Sequence, residues 1–404
     1  MNTKNILIIS AVYPPEPVVS AKLSKDLYDA LKDLGYGVQV IHPRPTRPNG
    51  FDFGDNIYCG PDEIVVESYT CPKSSLIGRF RESWSFGNAC ERYIKEHHEN
   101  ISVVYSVAWP IFAQNIIVKC AMKYDIPAVV HVQDVYPEAL TNKLPVVVSI
   151  FVKSLLMPMD KYTVSHAQRV IAISEKMKKH LSLSRQIDVL KIDVVINWQD
   201  EKNFLDYKEN NADAEPNDKF TMMYMGNIGP VAGVDLLIDA FSSLNNPDIR
   251  LVIAGSGSMK DKLKEQAAKT PHVDIQFWDV PDGMVPEIQS KADLMLLPIK
   301  KGAALSSIPS KLPAYMFSAK PIIGSMDLGC DTADAIREAD CGFIVEPENV
   351  GALKEIMAKA ASLDKGLLDE MGAKGQKYAL DHYSKSINLK KFVDSVIGVI
   401  NANQ

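Results

Sequence analysis

Short β-branched runs alternate with segments of helical periodicity along almost the whole chain, and this rhythm restricts the fold more than any other feature. In the first half the strand-like runs are NILIIS (5–10), VQVIHP (38–43), EIVVES (63–68), VVYSVA (103–108), AVVHVQD (128–134), VIAIS (170–174) and DVVIN (193–197). Between the first two, Leu23, Leu27, Ala30, Leu31 and Leu34 share one helical face, which Gly35 stops. Strands that are apolar throughout, rather than on alternate residues, are buried on both faces, and helices between them imply a parallel sheet.

Residues 201–219, EKNFLDYKENNADAEPNDK, interrupt the rhythm with a polar, acidic stretch expected to be a linker. The alternation then resumes with FTMMYMG (220–226), RLVIAGSG (250–257), VDIQFW (273–278), LMLLPI (294–299), PIIGS (321–325) and GFIVE (342–346). The expected fold class is therefore α/β, with two doubly wound, Rossmann-like domains at 1–200 and 220–383. A last segment, 384–404, is helical to about Ile400 and is expected to pack back toward the first domain. Such sheets take ligands outside the carboxyl ends of their strands, so the expected site is a cleft that the two domains face.

Composition narrows the partners. The chain has 404 residues and 44 Lys and Arg against 50 Asp and Glu, a net charge of −6 that argues against a nucleic-acid partner. Cysteines at 59, 71, 90, 120, 330 and 341 form no C-x-x-C pair, the usage of reduced core thiols rather than of a zinc site. The opening MNTKNILIISAVYPPEP has an apolar run too short for a signal peptide, and nothing reaches the roughly 18 apolar residues of a membrane span.

Three segments of the second half would converge at one sheet edge. YMGNIGPVAGVDLLIDAF (224–241) passes from strand through a glycine-rich turn (Gly226, Asn227, Gly229, Gly233) into a helix. Such turns hold anions on backbone N–H groups, yet no Lys or Arg lies between Gly226 and Gly233. In IAGSGSMK, Gly255 and Gly257 directly follow a strand. In KKGAALSSIPSKLPAYMFSAKP, Ser310 is the expected N-cap and Lys311 opens a helix, where a cation opposes the macrodipole. A bound diphosphate would explain Lys311 as the missing countercharge, with Lys300 or Lys301 the weaker candidates; a plain surface lysine is the alternative. Phe277 and Trp278 end a strand near the expected base pocket and are equally readable as core.

In the first half, YPPEPVVSAKLSKDLY offers Glu16, Ser20 and Lys22 on a loop entering a helix, or simply a connection that Ser20 caps. HVQDVYPEALTNK places His131, Gln133, Asp134 and Glu138 at a strand end. Its carboxylates could deprotonate an attacking hydroxyl or orient a donor, whereas His131 is also readable as a satisfied core residue.

The motifs YMGNIGPVAGVDLLIDAF, IRLVIAGSGSMKDKLKE, VDIQFWDVPDGMVPEIQSKADLMLLPI, PSKLPAYMFSAKPIIGS and GFIVEPEN resemble family 4 glycosyltransferases of the GT-B fold. The likeness is nearest to the branch typified by bacterial N-acetyl-L-fucosaminyltransferases of O-antigen and capsule assembly. Asn227 and Ala232 stand where the wider family has Arg and Lys, and Ser306 and Ala314 where it has paired glutamates. The resemblance implies transfer of a sugar from a nucleotide donor, UDP-linked, to a lipid-linked saccharide, with retention. It makes Asp134, Glu138 and Lys311 the catalytic candidates, and Gly226, Asn227, Gly229, Gly255, Gly257, Ser310 and Lys311 the donor site. Glu16, Ser20, Lys22 and His131 would then line the acceptor site. No cofactor or metal is expected, the D-x-D-like Asp213–Glu215 lying in the linker. A noncatalytic nucleotide-sugar-binding subunit and a UDP-sugar 2-epimerase are the alternatives. The epimerase would crowd histidines around the phosphate loops, where His272 is the second domain's only one before residue 382.

The implied acceptor places the protein in the cytoplasm, peripherally on the inner face of the cell membrane, against an anionic surface. Two stretches suit that surface. CPKSSLIGRFRESWSFG interleaves Lys73, Arg79 and Arg81 with Leu76, Phe80, Trp84 and Phe86. KLPVVVSIFVKSLLMPMDKY, with Lys143, Lys153 and Lys161, is readable either as an interfacial helix or as one buried between domains.

Overall fold

The computed structural model describes residues 4–47, 53, 60–71, 75–107, 111–141, 144–211, 217–302 and 308–402. Cys59, Lys73, Lys143, the Asp213–Glu215 patch and Ser306 lie outside them. The chain divides into two compact units: residues 1–197 with 388–404, and residues 198–387.

Unit 1 holds a seven-stranded sheet of β1 (Asn5–Ser10), β2 (Val38–Pro43), β3 (Glu63–Val66), β4 (Ile101–Val107), β5 (Ala128–Val132), β6 (Arg169–Ala172) and β7 (Ile192–Val194). The order is β3-β2-β1-β4-β5-β6-β7 and the pairings are parallel, with Ile6 opposite Val38 and Val104 opposite Ala128. Its helices cover both faces, as the unbroken apolar strands require. The first helix, Val19–Asp33, buries Leu23, Leu27 and Leu31. Leu34, expected on that face, is exposed instead, because it is the C-cap, beyond the last helical turn and just before Gly35 (φ +84°).

Unit 2 repeats the plan with β8 (Phe220–Met225), β9 (Ile249–Ala254), β10 (Asp274–Trp278), β11 (Leu294–Pro298), β12 (Ile322–Ser325) and β13 (Gly342–Val345), ordered β10-β9-β8-β11-β12-β13. The helix Val234–Ser242 buries Val234, Leu237, Ile238 and Phe241 against this sheet. Every strand-like run read from the sequence overlaps one of the thirteen strands among the described residues.

One departure has a simple cause. Inside the stretch expected to be a linker, Lys202–Asn210 is a helix. It is anchored by buried Phe204, whose ring lies 5.8 Å from that of Phe317, and by Tyr207, whose hydroxyl accepts a 3.1 Å bond from Ser290. Two inward-facing aromatics hold a helix whose other residues are polar enough to read as loop. The last helix, Lys385–Asn401, begins in unit 2, where the Glu201 carboxylate accepts from the N–H groups of Lys385 (2.7 Å) and Ser386 (3.2 Å). From Asn388 onward it belongs to unit 1, where Phe392 sits edge-on to Tyr105 and His131 at 5.3 and 5.2 Å.

Candidate functional site

In unit 2 the strand order reverses between β8 and β11, the switch point at which doubly wound sheets bind ligands. The turn after β8 and the turn after β9 are zipped together there. Gly226 N–H donates to Ala254 C=O at 3.0 Å, Ile228 N–H to Ser256 C=O at 2.8 Å, and Met259 N–H to Ile228 C=O at 3.1 Å. Gly255 and Gly257, at φ +127° and +153°, make this approach possible. A Cβ on Gly255 would strike the Gly226 carbonyl, and one on Gly257 the Ile228 backbone.

This assigns the glycines more narrowly than the sequence did. The Gly226 and Gly255 amides are used within the protein, the latter on Trp278 C=O at 3.0 Å. Among the described residues the N–H groups of Asn227 and Gly229 make no such bond, so these two are available to an anion. Lys311 is the cation beside them. Its stem lies so closely over Gly226 that a Cβ there would land on Lys311 Cε, and its ammonium stands 5.5 Å from the centre of the Tyr224 ring. No carboxylate among the described residues pairs with it. Burial pushes its pKa below the ordinary lysine value.

The short helix Lys311–Phe317 explains that placement. Tyr315, one turn on and on the same side, is fully buried; Met225 N–H donates to its hydroxyl at 2.9 Å and the hydroxyl donates to Met225 C=O at 2.7 Å. Tyr315 thus pins the helix to the end of β8. It went unnoticed in the sequence, where the i, i+4 spacing from Lys311 was the available signal.

Ser310 is exposed and stands at the expected N-cap position, but its side chain makes no cap bond, its own backbone being already in the helical region. Lys300 forms a 3.2 Å ion pair with Asp235, which removes it as countercharge, and Lys301 is exposed. On β10 the two aromatics point to opposite faces: Phe277 packs on the core, while Trp278 Nε1 donates to Gln276 at 3.0 Å.

In unit 1 the end of β5 gathers the expected polar residues, with unequal chemistry. His131 is 2% exposed, its Nδ1 lies 2.8 Å from the Tyr105 hydroxyl and its Nε2 2.9 Å from Gln133 Nε2. Burial pushes its pKa down to about 3, so the ring is neutral. His131 is therefore a satisfied core residue, not a surface for an acceptor. Glu138 is held by Arg185 through two bonds of 2.6 and 2.7 Å. Burial would raise its pKa, and the Arg185 bonds and charge outweigh that, leaving it low. A carboxylate so engaged is a poor proton acceptor. Asp134 is exposed at the strand end.

The loop after β1 is also partly structural. Glu16, 5% exposed, accepts from the N–H groups of Thr46 and Arg47, both at 2.8 Å, and so ties two loops together. Ser20 is the second residue of its helix rather than the cap, which is Val18, and Lys22 is exposed. Of the two stretches read as suited to a membrane, the described part of 71–87 is divided between packing and exposure, with Ile77 and Trp84 exposed. Phe86 is buried, Phe80 meets Phe112 edge-on at 5.6 Å, and Arg79 pairs with Glu82 at 3.0 Å.

Comparison with known proteins bears on both units. Residues 207–378 match the family described as glycosyl transferases group 1, and residues 21–198 the glycosyl transferase 4-like domain. A protein of Pseudomonas aeruginosa named as glycosyltransferase WbjE is 24% identical over 274 residues, 66% of this chain and 66% of that protein, so the match spans just under two thirds of that relative. A protein of Escherichia coli (strain K12) named as colanic acid biosynthesis glycosyl transferase WcaI is 24% identical over 430 residues, 97% of this chain and 100% of that protein. The crystal structure of Anabaena HepE in complex with UDP superposes with a TM-score of 0.64 at 13% identity, over 98% of this chain and 100% of that one, a likeness of fold. One glycosyltransferase family model thus matches each unit, and the two parallel Rossmann-like sheets beneath them are those of the GT-B fold.

Proposed function

We propose that the protein transfers a hexosyl unit, with retention, from a UDP-linked donor to a lipid-linked saccharide in surface-polysaccharide assembly. The sugar suggested is an N-acetylated amino or deoxy sugar, following the fucosaminyltransferase-like branch. The observation that carries this reading is Lys311, a half-buried ammonium with no carboxylate partner among the described residues, lying against a glycine turn with two available amides. A protein tolerates such a charge where an anion completes it. The names of WcaI and of the HepE–UDP complex support the substrate classes.

In the proposed reaction the bond from the sugar C1 to the diphosphate breaks and its electron pair goes to the phosphate oxygen. Lys311 and the Asn227 and Gly229 amides stabilise the charge that develops there, and no metal takes part. The acceptor hydroxyl oxygen bonds to C1 on the face just vacated, its proton passing to Asp134 or to the departing phosphate. Glu138 acts by holding the Asp134 segment in place through Arg185, whose Nη2 also donates to Tyr136 C=O at 2.6 Å. Glu16 positions the loop that leads into the helix carrying Ser20 and Lys22 toward the acceptor, and Trp278 is the base-pocket candidate left once Phe277 is assigned to the core.

Purified protein given a panel of nucleotide sugars with a lipid-linked acceptor should release UDP only when the acceptor is present. Interconversion of donor without acceptor would indicate an epimerase, and binding without turnover a noncatalytic subunit. Gly226→Ala should displace the Lys311 stem. Calorimetry with UDP is expected to show affinity lower by at least about tenfold, ~1.4 kcal/mol, and unchanged affinity would sever Lys311 from the donor.

A further inference from the structure

Tyr224, near the end of β8, is fully buried, yet both its hydroxyl and its ring are turned to the groups of the glycine turn. The hydroxyl donates to Asn227 C=O at 2.6 Å, and the Lys311 ammonium stands over the ring, 5.5 Å from its centre. A phenylalanine would fill the same place in this core, so packing alone does not account for the hydroxyl.

The place of that bond in the turn gives it a consequence. A trans peptide points its C=O and N–H in opposite directions. The 227–228 peptide is held at both ends, by the Tyr224 hydroxyl on Asn227 C=O and by Ser256 C=O on the Ile228 N–H at 2.8 Å. The next peptide has its C=O on Met259 N–H, which turns the Gly229 N–H away from the segment after β9. The Gly226 carbonyl lies against Gly255, which turns the Asn227 N–H away from that segment as well. Both available amides therefore project from the turn, and the peptide between them is the one that Tyr224 clamps. Without the clamp that peptide is held at one end only, and its rotation would turn a carbonyl oxygen, the wrong end of the dipole, toward a bound anion. The ring acts on the charge. Lys311 has no carboxylate partner among the described residues, and the negative face of an aromatic ring offsets part of the cost of burying its ammonium. The tyrosines beside it, Tyr224 and Tyr315, are both kept neutral by burial, which pushes their pKa values up.

We infer that Tyr224 is a positioning residue of the anion site, its hydroxyl setting the two amides and its ring seating the ammonium. It acts on a diphosphate only through the groups that meet it. The inference deepens the proposed function and rests on its nucleoside diphosphate donor. Amides and a cation fixed before the donor arrives need little ordering when it binds, and none when charge develops on the departing phosphate.

Two substitutions in the full chain, Tyr224→Phe and Tyr224→Leu, separate the two actions, with UDP affinity read by calorimetry across pH. In the parent, affinity should decline as pH rises through the depressed pKa of Lys311. The phenylalanine keeps the ring beneath Lys311 and removes only the hydroxyl. Its affinity should be lower by at least about fivefold, with the decline at the parental pH. The leucine removes the ring as well, so the charged lysine loses support and the decline should move to lower pH. Thermal melts accompany both variants, since deleting a buried bond lowers stability whether or not it serves a ligand. A lower melting temperature with parental affinity in Tyr224→Phe would make the hydroxyl purely structural and overturn the inference. So would a leucine variant whose affinity declines at the parental pH. If the leucine variant does not fold, the affinity of Tyr224→Phe decides alone. A parent that binds no UDP removes the donor reading and this inference with it, whereas a parent that binds UDP, with both variants like it, removes the inference alone.

Discussion

Replacing Lys311 by methionine is expected to lower sugar transfer by about 100- to 1000-fold, or about 2.7–4 kcal/mol of transition-state stabilisation. Methionine keeps the stem that covers Gly226 and removes only the charge. The same change should leave the unliganded protein as stable as the parent or slightly more so, because it deletes a half-buried cation without a carboxylate partner among the described residues. Opposite signs for activity and stability would separate a functional lysine from a structural one, and thermal melts beside steady-state rates read both. A pH series adds a third measure. The pKa of Lys311 is depressed in the free protein, and a bound diphosphate favours its charged form. UDP affinity should therefore be level at lower pH and fall as pH rises through the depressed value, before ordinary lysines titrate. The methionine variant should lack that limb, and a limb that persists in it would assign the titration elsewhere.

The second large effect is on folding. Arg185 is 0% exposed and donates to four residues: Asp160 through Nε at 2.7 Å, Glu138 through both terminal nitrogens, Tyr136 C=O and Ser184 Oγ. Arg185→Met leaves two carboxylates without their guanidinium and should cost about 3–5 kcal/mol, the usual cost of breaking a buried pair. For a unit of this size each kcal/mol lowers Tm by about 2–4 °C. Arg185→Lys should rescue little, since one ammonium cannot reproduce the planar fork. The pH dependence has a definite sign. In the parent the Glu138 pKa is lowered, so its pair contributes stability above the unfolded value and loses it as pH falls through the folded value. Asp160, more deeply buried and bonded through Nε alone, is raised by burial, which outweighs Arg185. In the variant both carboxyls should be raised, so protonation restores stability and the gap between the two proteins narrows toward acid pH. Chemical denaturation across pH measures it, and a gap that stays constant would mean that charge is not the cause.

How much of the candidate site could be read in advance differs between the two units. Lys311 stood out because a cation at a helix start is a local conflict, and local conflicts are visible in sequence. Tyr315 did not, because a buried tyrosine at helical spacing reads as core until its hydroxyl is found on Met225. The polar residues near the end of β5 looked alike as a string. Depth and partners then sorted them, His131 into the core, Glu138 into an ion pair, and Asp134 to the surface. The engagement of Glu138 arises from Arg185, nearly fifty residues away and unremarkable in its own stretch.

Periodicity by itself determined the two α/β units and their strands, because the side-chain spacing that buries a strand or a helix face is a property of neighbouring residues. The string of residues also shows that the glycine turn after β8 carries no cation of its own. What only the tertiary structure decided was which distant groups meet there and at β5: Lys311 over Gly226, Lys300 taken by Asp235, Arg185 between Glu138 and Asp160. The physical reason is that desolvation and pairing depend on what lies within a few ångströms in space, and spacing along the chain does not specify that distance.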